Sequence, residues 1–255
     1  MKPSLFVVAL GMAIVGGPAA GVADPDCRAS RELLDLGHPL TAAREAVAKD
    51  HDLRIVAMGS SSTQGYGTTS PQYAYPAQLK LRLGAAMPGV AVHVSNKGIG
   101  GQDAEEMAAR MQSDVQPQHA HLVVWQVGTN SAIRHTPLEK FARKLRAGID
   151  IGKSLGADFI LMNLQYVPAV VALPDEQDYA RVMAEVAKEK GTGFFNRLAI
   201  MKAWYNDGMP YSQFVYNDGL HLNDFGQKCI GKLLSMAILR AVKPSQLTGD
   251  AKAGN

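Results

Sequence analysis

The 255-residue chain predicts an α/β fold, with a mostly parallel sheet covered by helices on both faces. Three observations carry that expectation. Short apolar runs alternate with segments of helical length, the loops that follow those runs are rich in Gly, Ser and Asn, and neither a repeat nor a linker interrupts the alternation. Strands joined through helices cannot pair as tight hairpins, so the chain crosses back over the sheet and the strands run parallel.

The elements follow in order. Residues 28–50, rich in Ala, Leu and charge, read as one or two short helices, and the apolar run 53–58 then enters a Gly/Ser loop as the first strand. Residues 73–87 have helical character, with leucines at 79, 81 and 83 among basic residues, and 90–94 alternate as a strand. After Gly100-Gly101, residues 102–115 begin with acidic side chains and read as a helix. Residues 122–127 are the most strand-like run of the chain. A helix over 137–155, a strand over 159–164, a helix over 175–190, a short strand over 193–195 and a long closing helix over 223–242 complete the series. In doubly wound sheets the ligand site lies at the carboxyl ends of the strands. Here those ends are the loops at Gly59, Asn96, Gly128 and Asn163.

The N-terminus has a different logic. Lys2 precedes an apolar run over 5–15, and small residues follow up to Ala23, which is the layout of a secretory signal peptide cut after Ala23 or Ala20. About 11 apolar residues fall short of the roughly 20 that span a bilayer, so no stable membrane insertion is expected. The expected division is a signal peptide over 1–23 and a single domain over 24–255, secreted or periplasmic. Both cysteines, Cys27 and Cys229, would then enter an oxidising compartment, where a Cys27–Cys229 disulfide is expected in preference to two buried thiols. The net charge of +3 is spread along the chain rather than gathered in a basic run, so no nucleic-acid partner is expected.

Four of the loops at strand ends carry polar residues suited to chemistry. Gly59-Ser60-Ser61-Ser62-Thr63-Gln64-Gly65 places serines on a strand-to-helix turn, where a hydroxyl is exposed and backbone N–H groups face an anion. Asn96-Lys97-Gly98-Ile99-Gly100-Gly101 offers glycines whose backbone can approach a reacting oxygen, and Gly128-Thr129-Asn130-Ser131 offers an amide side chain. In Asp218-Gly219-Leu220-His221-Leu222-Asn223-Asp224, a carboxylate three residues before a histidine is placed to hold Nδ1–H and leave Nε2 as a base, while Asn223 or Asp224 caps the last helix. His51, His93, His119, His121 and His135 have no ligand spacing and read as surface or packing residues.

These four segments, in this order and structural context, resemble blocks I, II, III and V of the SGNH/GDSL hydrolase superfamily over Gly59 to His221. The resemblance implies a flavodoxin-like, three-layer α/β/α sandwich. It also implies Ser61 as nucleophile, His221 as base, Asp218 as its orienter, and an oxyanion hole made by the Ser61 and Gly101 backbones and the Asn130 amide, with no metal or cofactor. Ser60 and Ser62 are the rival nucleophiles, and Gly98 and Gly100 the rival donors. The Asp of the family's name motif is Ser60 here, which leaves the bracing of the nucleophile loop open. The expected substrate is an ester of a small acyl group, such as acetyl, on a carbohydrate or cell-wall glycan. The alternatives are a lipase or thioesterase for longer chains, a silent carbohydrate-binding protein, and a flavodoxin-like nucleotide binder. Tyr66, Gln165 and Tyr166 stand near predicted strand ends, where they are candidates to line the substrate pocket, with core packing the expected role of both tyrosines.

Overall fold

The computed structural model describes residues 27–242; the expected leader over 1–23 lies outside them. Five parallel strands, β1 (Asp52–Gly59), β2 (Ala91–Gly98), β3 (Leu122–Gln126), β4 (Asp158–Met162) and β5 (Gly193–Phe195), form one sheet in the order β2-β1-β3-β4-β5. The chain starts near the centre, steps outward to β2, crosses back to β3 and then proceeds to β5. The direction of winding therefore reverses between β1 and β3, and a crevice opens there at the carboxyl ends of the strands. β3 is central and buried along its whole length, which explains why its sequence is a continuous apolar run without alternation.

One layer of helices owes its close fit to glycine. In the helix Leu138–Ser154, a Cβ at Gly148 would lie 2.5 Å from the Trp125 ring, and one at Gly152 would lie 2.0 Å from the Phe159 ring. These glycines, one helical turn apart, let the helix settle on the two large rings of β3 and β4. The closing helix Asp224–Val242 packs against the helix Tyr75–Ala86 and is tied to the start of the described chain by the Cys27–Cys229 disulfide, with the Cα atoms 5.6 Å apart. Both sulfurs sit in the core.

Most expected elements form within a few residues of their expected ends, and the differences have local causes. The helix expected over 102–115 is two, Ala104–Ala109 and Met111–Val115, because Arg110 leaves helical geometry and turns its guanidinium back to the carbonyl of Gly59. β2 runs on to Gly98, so Asn96 lies inside the ladder rather than in a loop. Of the three leucines at 79, 81 and 83, the first and last are buried one turn apart and Leu81 faces solvent. The helix Arg197–Asn206 has no counterpart in the sequence reading; its first residue is a buried arginine, which obscures any apolar stripe.

Candidate active site

The expected residues of the first and fourth polar segments meet in the crevice beside β1. Ser61 opens the helical turn Ser61–Gln64 directly after that strand. The turn must leave the strand sharply, and Gly59 permits it: a Cβ there would lie 2.0 Å from Thr63 Oγ1. Ser60 donates through its N–H and its hydroxyl to Gln126 Oε1, at 3.1 and 3.2 Å, and Thr63 Oγ1 donates to the same oxygen at 3.1 Å. The buried Gln126 at the end of β3 thus braces the Ser60–Thr63 turn, in which Ser60 stands where the name motif has Asp.

His221 Nε2 lies 2.8 Å from Ser61 Oγ, and His221 Nδ1 lies 2.7 Å from Asp218 Oδ2. In the tautomer whose Nδ1–H donates to the Asp218 carboxylate, Nε2 carries a lone pair and can accept from the Ser61 hydroxyl. The neighbouring serines are otherwise engaged, since Ser60 is committed to Gln126 and Ser62 is buried. Asp218 Oδ1 also accepts from the backbone N–H groups of Leu220 and His221, both at 2.9 Å. Burial pushes the Asp218 carboxyl up, but the His221 amide, the imidazole and the Leu220 amide outweigh it and hold the group below its usual range.

The loop that carries Asp218 and His221 is fixed from several sides. Tyr216 N–H donates to the His221 carbonyl at 2.8 Å, Ala169 N–H to the Gly219 carbonyl at 3.1 Å, and Gln165 Nε2 to the Leu220 carbonyl at 3.2 Å. Asn223 Oδ1 accepts from Gly226 N–H and caps the last helix, as expected, whereas Asp224 instead takes both the N–H and the hydroxyl of Thr69. Gln165 is buried behind the site rather than lining it. Its Oε1 accepts from Thr129 at 2.8 Å and from Arg197 at 2.6 Å, so one amide ties the Asn130 loop to the His221 loop.

Arg197 itself is 1% exposed, and its side chain donates only to neutral oxygens, those of Gln165 and the Asn163 carbonyl. Burial pulls its pKa down to about 10, with Tyr75 nearby opposing, and the guanidinium remains a cation at neutral pH. Through Gln165 the guanidinium is linked to both the Thr129–Asn130 turn and the loop that carries His221. Sequence reasoning missed this residue because an arginine at a helix start ordinarily reads as surface.

The second and third segments form the opposite wall. Asn130 Nδ2 donates to the Gln102 carbonyl at 2.8 Å, leaving its second N–H for another acceptor, and Arg134 donates to the Gly101 carbonyl at 2.8 Å. Of the three glycines considered, Gly98 is pressed on the Ser61–Gln64 turn, where a Cβ would lie 2.1 Å from Gln64 N. Gly100 is the one facing the serine, 3.9 Å from its Cβ when a Cβ is built. Gly101 turns the chain at φ +79° with open space beside it. Tyr66 is not a core residue: it is 56% exposed and its ring lies 4.5 Å from the His221 ring. Tyr166 is half-buried among Tyr205 and Tyr211.

The family model for the non-GDSL lipase-like family matches residues 26–244. No curated protein matches the chain. Among solved structures, a two-domain esterase active on acetylated mannans superposes with a TM-score of 0.68 at 15% identity, covering 85% of this chain and 58% of that one. The chain therefore spans little more than half of that protein. TesA superposes at 0.63 with 19% identity, covering 73% and 98% of the two chains, and an acetyl xylan esterase from Geobacillus stearothermophilus at 0.59 with 21% identity, covering 74% and 94%. These likenesses bear out the expected α/β/α architecture of the SGNH/GDSL hydrolases.

Proposed function

The chain belongs to the non-GDSL lipase-like family, and we propose that it is an exported serine esterase that removes small acyl groups, acetyl above all, from a carbohydrate or cell-wall glycan. The observation that carries this reading is the hydrogen-bonded series Ser61–His221–Asp218 at the switch point of a parallel sheet. Ser61 Oγ attacks the ester carbonyl while His221 Nε2 takes its proton, and Asp218 stabilises the imidazolium. The tetrahedral oxyanion is received by the backbone N–H of Ser61, a backbone N–H of the Gly100-Gly101 segment and the Asn130 amide, each such donor contributing about 3 kcal/mol. His221 then returns the proton to the departing alcohol, and a water molecule repeats the cycle to release the acid. A solvent-open site and structural neighbours described as acting on acetylated mannans and acetyl xylan support a polar, polymeric alcohol. Export is supported by the signal-peptide-like composition of residues 1–23 and by the buried disulfide, and no described helix is long and apolar enough to cross a membrane.

The test is a panel of acetyl, butyryl, octanoyl and palmitoyl esters, run with wild type and Ser61→Ala. The expected result is turnover that falls with acyl length and disappears in Ser61→Ala. A maximum at octanoyl or palmitoyl would move the assignment to a lipase or thioesterase, and turnover that survives in Ser61→Ala would remove Ser61 as nucleophile.

A further inference from the structure

Beside the imidazole stands an aromatic corner that the chemistry above does not use. Tyr66 tilts over His221 at 54°, and Tyr216, 41% exposed, meets the Tyr66 ring edge-on at 86° with centroids 6.3 Å apart. About half of each tyrosine remains open to solvent on this flank of the site.

The corner is built rather than incidental. Tyr66 N–H donates to the Ser61 carbonyl at 2.9 Å, so the backbone that carries the ring is tied to the residue proposed as nucleophile. Gly67, at φ +89°, lets the loop touch the histidine segment: a Cβ there would lie 2.7 Å from the Leu222 carbonyl oxygen, 3.1 Å from His221 Cβ and 3.2 Å from Tyr216 Cβ. Thr68 Oγ1 donates to the Gly65 carbonyl and Thr69 to Asp224, which pins the far end of the loop. The backbone of the corner is therefore held in place before a ligand arrives, which lowers the ordering cost of binding.

We propose that Tyr66 and Tyr216 form the alcohol-side subsite, seating the pyranose ring of the sugar whose ester oxygen leaves on His221. The inference rests on the esterase reading and assigns the two sides of the scissile bond. In acyl transfer the leaving oxygen takes its proton from the base, so the alcohol occupies the histidine flank and the acyl group the other. The ring covering that flank is Tyr66. A pyranose offers an apolar C–H face ringed by hydroxyl groups, and each tyrosine offers an apolar body with a polar tip. A corner open to solvent on its outer side also lets a polymer continue past the cleaved residue.

The experiment pairs acetylated xylo-oligosaccharides with ethyl acetate, which share the acyl group and differ in the alcohol. The ratio of kcat/KM for the sugar ester to that for ethyl acetate should fall about tenfold in Tyr66→Ala and in Tyr216→Ala, equivalent to roughly 1.4 kcal/mol, chiefly through KM. It should hold in Tyr66→Phe and in Tyr205→Ala, a control at an exposed tyrosine elsewhere. An unchanged ratio in both alanine variants overturns the subsite. Binding of unacetylated xylo-oligosaccharide to Ser61→Ala, followed by calorimetry, separates the two readings. If wild type cleaves neither ester but Ser61→Ala binds the oligosaccharide and Ser61→Ala/Tyr66→Ala does not, the subsite stands and the esterase assignment falls. Equal binding with and without Tyr66 overturns the subsite.

Discussion

The back wall of the crevice and its outer rim are built on opposite principles. Around Ser61, buried polar groups are committed in two sets: Ser60 and Thr63 to Gln126 at the end of β3, and Thr129, the Asn163 carbonyl and Arg197 to one another through Gln165 and the guanidinium. At the rim, Tyr66 and Tyr216 lie open, and the Asp218 side chain keeps 32% of its surface exposed against 11% for His221. A buried network is costly to disturb because each orphaned group loses both its partner and its water. An exposed rim can be changed with little effect on folding. The contrast teaches that position is enforced from behind while selection is left to the surface.

The largest effect on activity should come where wall and rim meet. Ser61→Ala and His221→Ala should each reduce kcat by more than about 10⁴-fold, with stability within about 0.5 kcal/mol of wild type in denaturant melts. Asp218→Asn should retain more activity than either, yet fall by about 10²- to 10⁴-fold, since the amide lets the imidazole adopt the wrong tautomer. If Asp218→Asn were as active as wild type, Asp218 would hold only the loop, and the rim would have no part in proton transfer.

A large effect on stability should appear far from the rim. Reducing Cys27–Cys229, which spans 202 positions, should lower stability by about 2–4 kcal/mol, seen as a lower Tm. Because neither cysteine bonds Ser61, His221 or Asp218, native protein below that Tm should keep its activity when reduced. Two titratable thiols in unreduced, denatured protein would refute the bridge.

A smaller loss tests the wall directly. Gln126→Leu leaves the Ser60 N–H, the Ser60 hydroxyl and the Thr63 hydroxyl without their shared acceptor. The expected cost is about 1–3 kcal/mol in denaturant melts, accompanied by a fall in kcat as the serine loop loosens. An unchanged kcat with reduced stability would show that the loop holds its geometry without Gln126.

The same contrast explains what could be read from the sequence. Strand runs and polar loops were legible because periodicity and Gly/Ser/Asn clusters are local, and Ser61, Asp218 and His221 fell in such loops. The strand order was not legible, since pairing β1 between β2 and β3 depends on contacts distant in the chain. Gln126 and Arg197 were hidden for a related reason. Each is a single polar residue in an element end, and only tertiary structure places it behind the serine. Tyr66 reads as core because an aromatic residue is usually buried, and its place beside His221 depends on the close approach of Gly67 to the histidine segment, a contact distant in the chain.

The smallest expected effect lies at the rim and depends on pH. The folded-state pKa of Asp218 is below its ordinary value, so the ionised carboxylate is favoured by folding. A depressed carboxyl pKa contributes stability above the unfolded value of about 3.9, and that contribution disappears as pH falls through the lower folded value. Asn at this position keeps an oxygen for the Leu220 and His221 amides but carries no charge. The Tm difference between wild type and Asp218→Asn should therefore be greatest near neutrality and close below about pH 4. With a third of the side chain in water, solvent screening limits the gap to about 1 kcal/mol or less. A gap that stays constant from neutral to acidic pH would show that the amide contacts, rather than the charge, set the contribution of Asp218 to the fold, and that this part of the rim is held in the same manner as the wall.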